Sequence, residues 1–171
     1  MTAALSARLR EIVDALPLRP GLRILEIGCG PGAMAREIAR RLDGNGFVLA
    51  IDRSATAIRQ AEAGSAAEIA AAVIAFRQST AEAFGLLPGE QPFDLAVAIR
   101  VGALDGRHPE AGTLARAAIK AALIPKGRLL IDGGDPLREV DLGPLPALSR
   151  VIGQGQSDAV PERVNVGQPA P

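Results

Sequence analysis

The residues best placed to do chemistry lie in one short stretch, residues 24–32, with the sequence Ile-Leu-Glu-Ile-Gly-Cys-Gly-Pro-Gly. Glu26 is an acid within an apolar run, and glycines follow it at alternate positions, Gly28, Gly30 and Gly32. A helical pattern begins directly after them. A strand, a glycine turn and a helix in this order bring backbone N–H groups and a helix N-terminus close to a ligand, and both favour an anionic group.

A second acid, Asp52, ends the next apolar run, residues 47–51, and lies 20 residues beyond Gly32. In nucleotide-binding folds, a carboxylate at this distance accepts hydrogen bonds from ribose hydroxyls. The dinucleotide fingerprint is GxGxxG, whereas this chain has the spacing GxGxG. An NAD-dependent oxidoreductase therefore fits the predicted fold but not the glycine spacing.

Composition indicates a globular domain and excludes several classes of partner. The 171 residues are 48% hydrophobic and 22% charged, with 19 acidic and 19 basic side chains. This balance leaves no broad basic field for a nucleic-acid backbone, and four phenylalanines are too few for base-stacking platforms. Cys29 is the only cysteine, which excludes an intrachain disulfide and a cysteine metal site. We expect no nucleic-acid partner and no metal.

The N-terminal segment, residues 2–16, has a helical pattern that includes Glu11 and Asp14, and it lacks the apolar core of a signal peptide. No apolar run in the sequence approaches 18 residues, so we expect no membrane span. These observations predict a cytoplasmic protein without a membrane partner.

Strand and helix patterns alternate along most of the chain. The predicted strands are residues 22–27, 46–51, 73–77, 93–99 and 128–132, and the predicted helices begin after residues 2, 32, 54, 65 and 108. This alternation predicts an α/β fold with a doubly wound, mostly parallel sheet and helices on both faces. We assign residues 1–152 to this domain and expect residues 153–171 to form a flexible tail.

Ligands of such sheets bind beyond the carboxyl ends of the strands. The glycine turn, Asp52 and the segments 79–82, 100–102 and 132–135 all follow predicted strands. We therefore expect these residues to converge on one cleft.

The stretch at residues 24–32 resembles motif I of class I S-adenosylmethionine-dependent methyltransferases, which has an apolar strand, an acid and GxGxG. The resemblance covers about residues 10–135, and it includes Asp52-Arg53-Ser54, Phe93-Asp94-Leu95 and the turn Pro125-Lys126-Gly127. It implies a Rossmann-like methyltransferase fold, S-adenosylmethionine as the cofactor, and methyl transfer to an acceptor, which we expect to be a small molecule.

The resemblance also implies which residues contact the cofactor. In this family an acid at the position of Glu26 helps to hold the methionine part, and one at Asp52 binds the ribose hydroxyls. Thr80 stands where the family often has an acid for the adenine amino group, so a hydroxyl replaces a carboxylate there. The full set of expected cofactor contacts is Glu26, Gly28, Cys29, Gly30, Gly32, Asp52, Arg53, Thr80, Ala81 and Arg100. Cys29 is predicted to fill the tight turn as a small residue, with a nucleophilic role as the alternative.

Catalytic residues are harder to predict, because methyl transfer from a sulfonium has a good leaving group and needs mainly proximity and alignment. A general base is required only if the acceptor must lose a proton. The candidates are His108, Asp105 and Arg100, on the loop after the fourth predicted strand. His108 could instead occupy the helix N-cap before Pro109, and Asp105 could be a turn residue. Arg100 is predicted either to bind an acidic acceptor or to form a surface salt bridge.

After Asp132 the resemblance fades. The family adds a helix and an antiparallel pair of strands, whereas residues 133–171 contain many prolines and glycines and no convincing hairpin. We therefore predict an unpaired edge on the fifth strand, through which the chain either self-associates or binds a protein partner. The alternative function is a non-catalytic S-adenosylmethionine-binding module that needs such a partner.

Overall fold

The computed structural model describes residues 5–143, which form five helices and six strands. In chain order the elements are α1 (Ala7–Ala15), β1 (Arg23–Ile27), α2 (Ala33–Arg41), β2 (Phe47–Asp52), α3 (Ala55–Ala63), α4 (Ala66–Ala70), β3 (Ile74–Gln78), β4 (Phe93–Ala98), α5 (Pro109–Ala122), β5 (Leu123–Asp132) and β6 (Leu137–Val140). The predicted tail, residues 153–171, lies outside the described residues.

The six strands form one sheet in the order β3-β2-β1-β4-β5-β6. The first five are parallel, and β6 is antiparallel to β5. From β1 the chain winds outward to β3 and then crosses back to form β4 on the other side of β1. The strand order therefore reverses between β1 and β4, which is where open α/β sheets bind ligands. The predicted doubly wound fold is confirmed.

The predicted free edge on the fifth strand is wrong. β6 pairs with it from Leu129↔Val140 to Asp132↔Leu137. Residues 133–136, which include two glycines and a proline, form the connection between these strands. The turn-forming residues that made this region resemble coil are thus concentrated in a hairpin connection. Self-association or partner binding through an exposed fifth strand therefore loses its structural basis.

Alternate strand residues face the two sides of the sheet, and helices cover both sides. On one face, strand residues pack with side chains of α1, α2 and α3; the members include Ile12, Ile24, Ile38, Val48, Ile58 and Val97. On the other face, strand residues pack with α5 and with the connection between β3 and β4; the members include Leu25, Leu49, Phe84, Ala96, Ile119 and Leu129. The central strands β1, β2 and β4 are therefore buried over most of their length, as their apolar sequences predict.

The connection from β3 to β4 contains no helix, so side chains close that part of the second face. Phe84 is buried and its ring centroid lies 6.4 Å from that of Phe93. The Arg77 guanidinium lies 5.6 Å from the Phe84 ring centroid and pairs with Glu90 at 2.6 Å. A cation over an aromatic face and an ion pair thus fix the loop without helical packing.

The helix starts predicted after residues 32, 54, 65 and 108 are all confirmed. Ser54 caps α3, because its Oγ accepts a hydrogen bond from the Ala57 N–H. Ser65 is the N-cap residue of α4 but makes no side-chain capping bond; its buried hydroxyl accepts instead from Nη1 of Arg36 at 3.1 Å. The predicted turn at residues 125–127 lies within β5, where the register with β4 shifts. None of the helices in residues 5–143 is long and apolar enough to cross a membrane.

Candidate active site

The glycine turn after β1 is held by β2 and enters α2 directly. The N–H groups of Gly28 and Cys29 both donate to the carbonyl oxygen of Ile51, at 2.8 and 3.0 Å. Gly28, Gly30 and Gly32 have φ angles of 76°, 52° and 76°, and Gly32 is the N-cap of α2. A side chain strains this left-handed backbone, so alternate glycines permit the turn.

The glycines differ in what surrounds them. A Cβ at Gly28 would lie 2.8 Å from Cγ2 of Val101, and one at Gly32 would lie 3.0 Å from the Phe76 ring. A Cβ at Gly30 would meet no atom within 4 Å. Packing with the protein thus restricts the outer two glycines, while Gly30 faces open space that a ligand can enter.

A cleft of about 260 Å³ opens at this turn. Its walls come from the start of α1, the ends of β1, β4 and β5, and the turn into α2. The predicted site residues in its lining are Glu26, Gly28, Cys29, Gly30 and Arg100. A larger cavity of about 470 Å³ is bordered by the start of β5 and by residues 139–143, and it contains none of the predicted site residues. We therefore take the smaller cleft as the site.

Glu26 is the most unusual group in the cleft. Its side chain is buried, with 2% exposure, and Oε2 has no hydrogen-bond partner among residues 5–143. Burial raises the pKa of Glu26 to about 8; the charge of Arg36 lowers it and that of Asp52 raises it further. A buried carboxyl oxygen without a donor is costly. The expected cofactor carries an ammonium group, and a donor of this kind fits the unpaired oxygen.

Asp52 has a bracing role in this structure. Its Oδ2 accepts from the Gly30 N–H at 2.9 Å, and its Oδ1 accepts from the Ser54 N–H at 2.8 Å. The carboxylate therefore connects the glycine turn to the start of α3. Each oxygen still has a free lone pair, so the expected contacts with ribose hydroxyls remain chemically available. Asp52 is not part of the lining of the cleft.

The other expected cofactor contacts follow β2 and β3 at the same end of the sheet, outside the cleft. Arg53 is exposed, and its carbonyl accepts from the Gln78 side chain at 3.2 Å. The Thr80 hydroxyl accepts from the Ala83 N–H at 3.3 Å, so its role as an acceptor for an adenine amino group is partly taken. Ala81 is buried in the second-face core.

Cys29 has the structural role predicted for a small turn residue. Its side chain is buried, and Sγ donates to the Gly30 carbonyl at 3.5 Å. Burial raises the pKa of the thiol above its usual range, with the charges of Glu26 and Asp52 acting in the same direction. A thiolate is the nucleophilic form, so these surroundings disfavour a nucleophilic role.

Of the catalytic candidates, only Arg100 lines the cleft. Asp105 accepts from the Arg107 side chain at 2.8 and 3.0 Å, and this hydrogen bonding lowers the pKa of its carboxyl group. His108 is the N-cap residue of α5 and makes no side-chain capping bond. In residues 5–143 no group of three or more His, Cys, Asp or Glu side chains could hold a metal ion.

Two charged residues in the cleft are not among the expected cofactor contacts or catalytic candidates, although the segment that contains Asp132 was predicted to converge on it. Arg8 of α1 lines it and also donates to the Pro136 carbonyl, 128 positions away, at 3.4 Å. Asp132, at the end of β5, lines it and accepts from the Arg100 N–H at 3.1 Å. The carboxyl-end position of Asp132 was a signal for its convergence on the cleft. For Arg8, the helical pattern of its segment gives no indication of a contact so distant in sequence.

Comparison with known proteins decides the family. A family model described as "Methyltransferase domain" matches residues 18–156. The chain belongs to this methyltransferase family. The match confirms the family predicted from the glycine turn and Asp52, and the observed sheet is the Rossmann-like sheet that the family predicts.

Individual relatives agree with this assignment. The chain is 32% identical over 164 residues to a protein-L-isoaspartate O-methyltransferase of Methylorubrum extorquens, with 87% of this chain and 64% of the relative covered. It is 33% identical over 139 residues to the nocamycin O-methyltransferase of Saccharothrix syringae, with 80% and 47% covered. A solved methyltransferase from Thiobacillus denitrificans, in complex with S-adenosylhomocysteine, is 25% identical with a TM-score of 0.56, over 75% of this chain and 48% of that one. The chain thus spans about half to two thirds of these relatives.

Proposed function

We propose that this domain binds S-adenosylmethionine in the cleft at the end of β1 and transfers its methyl group to a small-molecule acceptor. The observation that carries the proposal is Glu26, whose buried Oε2 has no partner among the described residues although it borders an open cleft. The similar Thiobacillus denitrificans methyltransferase is in complex with S-adenosylhomocysteine, and a relative of this chain is named as a nocamycin O-methyltransferase.

Each residue at the turn has a defined task in this proposal. Glu26 accepts a hydrogen bond from the ammonium group of the cofactor, and the open side of Gly30 admits the ligand close to the backbone. Asp52 fixes the turn through the Gly30 N–H and accepts the ribose hydroxyls with its remaining lone pairs. When bound, the cofactor supplies a methyl group on a sulfonium, and the thioether that remains is a good leaving group. The protein then contributes mainly alignment of the acceptor.

A non-catalytic binding module is the second candidate. It is favoured by the positions of His108 and Asp105, which do not line the cleft, and by Thr80, whose acceptor role the Ala83 N–H partly takes. The alternative of an NAD-dependent oxidoreductase is set aside, because the chain belongs to the methyltransferase family.

Calorimetry with S-adenosylhomocysteine tests the binding proposal. We expect the wild-type chain to bind it, Glu26→Gln to weaken binding at least tenfold, and Glu62→Gln, an exposed acid on α3, to bind as the wild type does. Absence of binding by the wild-type chain would overturn the proposal. Transfer of a labelled methyl group to small acceptors then distinguishes an enzyme from a binding module.

A further inference from the structure

Arg100, directly after the end of β4, has an unusual backbone conformation. Its φ angle is 59°, in the left-handed region that is unfavourable for a residue with a Cβ atom. Two hydrogen bonds hold it there. The Arg100 N–H donates to Oδ1 of Asp132 at 3.1 Å, and its carbonyl accepts from Nη2 of Arg107 at 3.4 Å. Backbone strain that neighbours maintain in this way is concentrated at ligand sites.

The guanidinium of Arg100 is exposed and has no hydrogen bond or ion pair within residues 5–143. Nearby arginines are engaged: Arg8 pairs with Glu11 at 2.9 Å, and Arg107 pairs with Asp105 at 2.7 Å. The surface salt bridge considered for Arg100 is therefore not formed in the described part of the chain. An arginine that borders a cleft and has free donors fits a carboxylate, whose two oxygens match the planar fork.

The strand order places Arg100 and Asp52 on opposite sides of the glycine turn. Along the carboxyl edge of the sheet, β2, β1, β4 and β5 present Asp52, the glycine turn, Arg100 and Asp132 in that sequence. In the proposed function, the cofactor extends from Asp52 to the glycine turn. Arg100 then lies beyond the turn, on the β4 side of the same cleft and away from Asp52.

We propose, on the basis of the proposed function, that the methyl acceptor is a carboxylic acid and that Arg100 binds and orients its carboxylate. One carboxylate oxygen forms a bond to the methyl carbon while the carbon–sulfur bond breaks, and the electron pair of that bond stays on sulfur. The products are a methyl ester and S-adenosylhomocysteine. No proton moves, because a carboxylate is already deprotonated at neutral pH. This reaction needs no general base, so His108 and Asp105, which do not line the cleft, are not required for it.

The first experiment uses S-adenosylmethionine with a labelled methyl group and a metabolite extract. Base treatment of a methyl ester releases volatile labelled methanol, whereas methyl groups on nitrogen, on carbon or in ethers remain bound. We expect the wild-type chain to produce base-labile label. Filtration of the extract by size separates free acids from carboxylates on peptides, and an isoaspartyl peptide provides a direct second arm. Base-stable label, or no label in any arm while S-adenosylhomocysteine binds, would contradict the proposal.

The second experiment changes Arg100 itself. Arg100→Gly removes the guanidinium and relieves the left-handed strain, so we expect a higher Tm, S-adenosylhomocysteine affinity within twofold of the wild type, and at least a tenfold loss of base-labile product. Arg100→Lys, which keeps the charge but not the planar fork, should retain part of the activity. Asp43→Gly is the matched control, because Asp43 is exposed at the end of α2 with a φ of 50°. It should raise the Tm and leave the product yield unchanged.

These outcomes separate the two proposals. If the wild-type chain does not bind S-adenosylhomocysteine, the proposed function fails. If binding is normal but Arg100→Gly forms methyl ester at the wild-type rate, only the role of Arg100 fails. If Arg100→Gly loses S-adenosylhomocysteine affinity, the arginine holds the carboxylate of the cofactor and not that of the acceptor, which also contradicts the inference.

Discussion

Asp52 and Gly30 are joined by a hydrogen bond of 2.9 Å, from the Gly30 N–H to Oδ2 of the carboxylate, across 22 positions of the chain. The other oxygen of Asp52 holds the Ser54 N–H at the start of α3. One side chain thus fixes the glycine turn and a helix start at the ends of two neighbouring strands. The acid required for ligand binding in the proposed function also shapes the site before any ligand arrives.

Substitution of Asp52 should therefore affect both stability and binding. Asp52→Ala removes the acceptor of two backbone N–H groups, and we expect a loss of about 1–3 kcal/mol in the free energy of unfolding, with the chain still folded. We also expect S-adenosylhomocysteine affinity to fall at least tenfold. Ser54→Ala is the control, because loss of this N-cap costs about 1 kcal/mol but leaves the turn intact. Denaturation and calorimetry measure the two effects, and equal affinities for both variants would exclude a ligand role for Asp52.

Binding should also depend on pH through Glu26. The pKa of this carboxyl group is about 8 without ligand, so it is mostly protonated at pH 7. A ligand ammonium group beside it favours the carboxylate, so binding releases a proton below pH 8. We expect S-adenosylhomocysteine affinity to rise between pH 6 and pH 8 by up to about tenfold per pH unit. This pH dependence should be absent in Glu26→Gln. Titrations in buffers of different ionisation enthalpy measure the released proton; an identical pH profile for both proteins contradicts the assignment.

The same group predicts how stability changes with pH. Its pKa is about 8 in the folded chain and 4.5 as the ordinary value, so between these limits the folded state binds more protons than the unfolded state. The contribution of Glu26 to the free energy of unfolding therefore falls as pH rises from 4.5 to 8, by at most about 1.4 kcal/mol per unit. Glu26→Gln has no such dependence. Denaturant unfolding at pH 6 and pH 8.5 measures this effect. The free energy of unfolding of Glu26→Gln, relative to that of the wild type, should be higher at pH 8.5 than at pH 6.

Gly30 and Gly44 offer a matched pair for the glycine turn. Both have positive φ angles, and a Cβ at either would meet no atom within 4 Å. Valine at either position should therefore cost similar backbone strain, about 1–2 kcal/mol, and leave the chain folded. Gly30→Val should abolish the rise in Tm on addition of S-adenosylhomocysteine, because the side chain enters the cleft. Gly44→Val, at the end of α2, should keep that rise; its loss in both variants would show a general effect of strain.

The parallel part of the sheet and the glycine turn could be predicted because their signals are local. Apolar runs mark β1, β2 and β4, and the acid inside the first run indicated that Glu26 is buried. β6 could not be predicted in this way, because it has four residues and only Leu137 and Val140 are apolar. Its position depends on antiparallel pairing with β5, the strand that precedes it in the chain.

The site was predictable only in part for the same reason. Motif spacing brought Glu26 and Asp52 to the same end of the sheet, which the structure bears out. It did not indicate that the Arg107 side chain holds the Arg100 carbonyl, or that Arg8 reaches the cleft from α1. These contacts depend on how loops and a helix pack, and not on a local pattern. The buried hydroxyl of Ser65 is another case, since its partner Arg36 lies 29 positions away.

The β5–β6 hairpin also affects whether copies of this chain associate through their sheets at high concentration. β6 is the outermost strand on that side of the sheet in residues 5–143, and two of its four residues, Arg138 and Glu139, are exposed and charged. A short, charged outer strand is a poor template for the backbone of another molecule. The domain thus ends this side of its sheet with a strand that disfavours edge-to-edge association, and this strand covers the apolar end of β5, Leu129–Ile131.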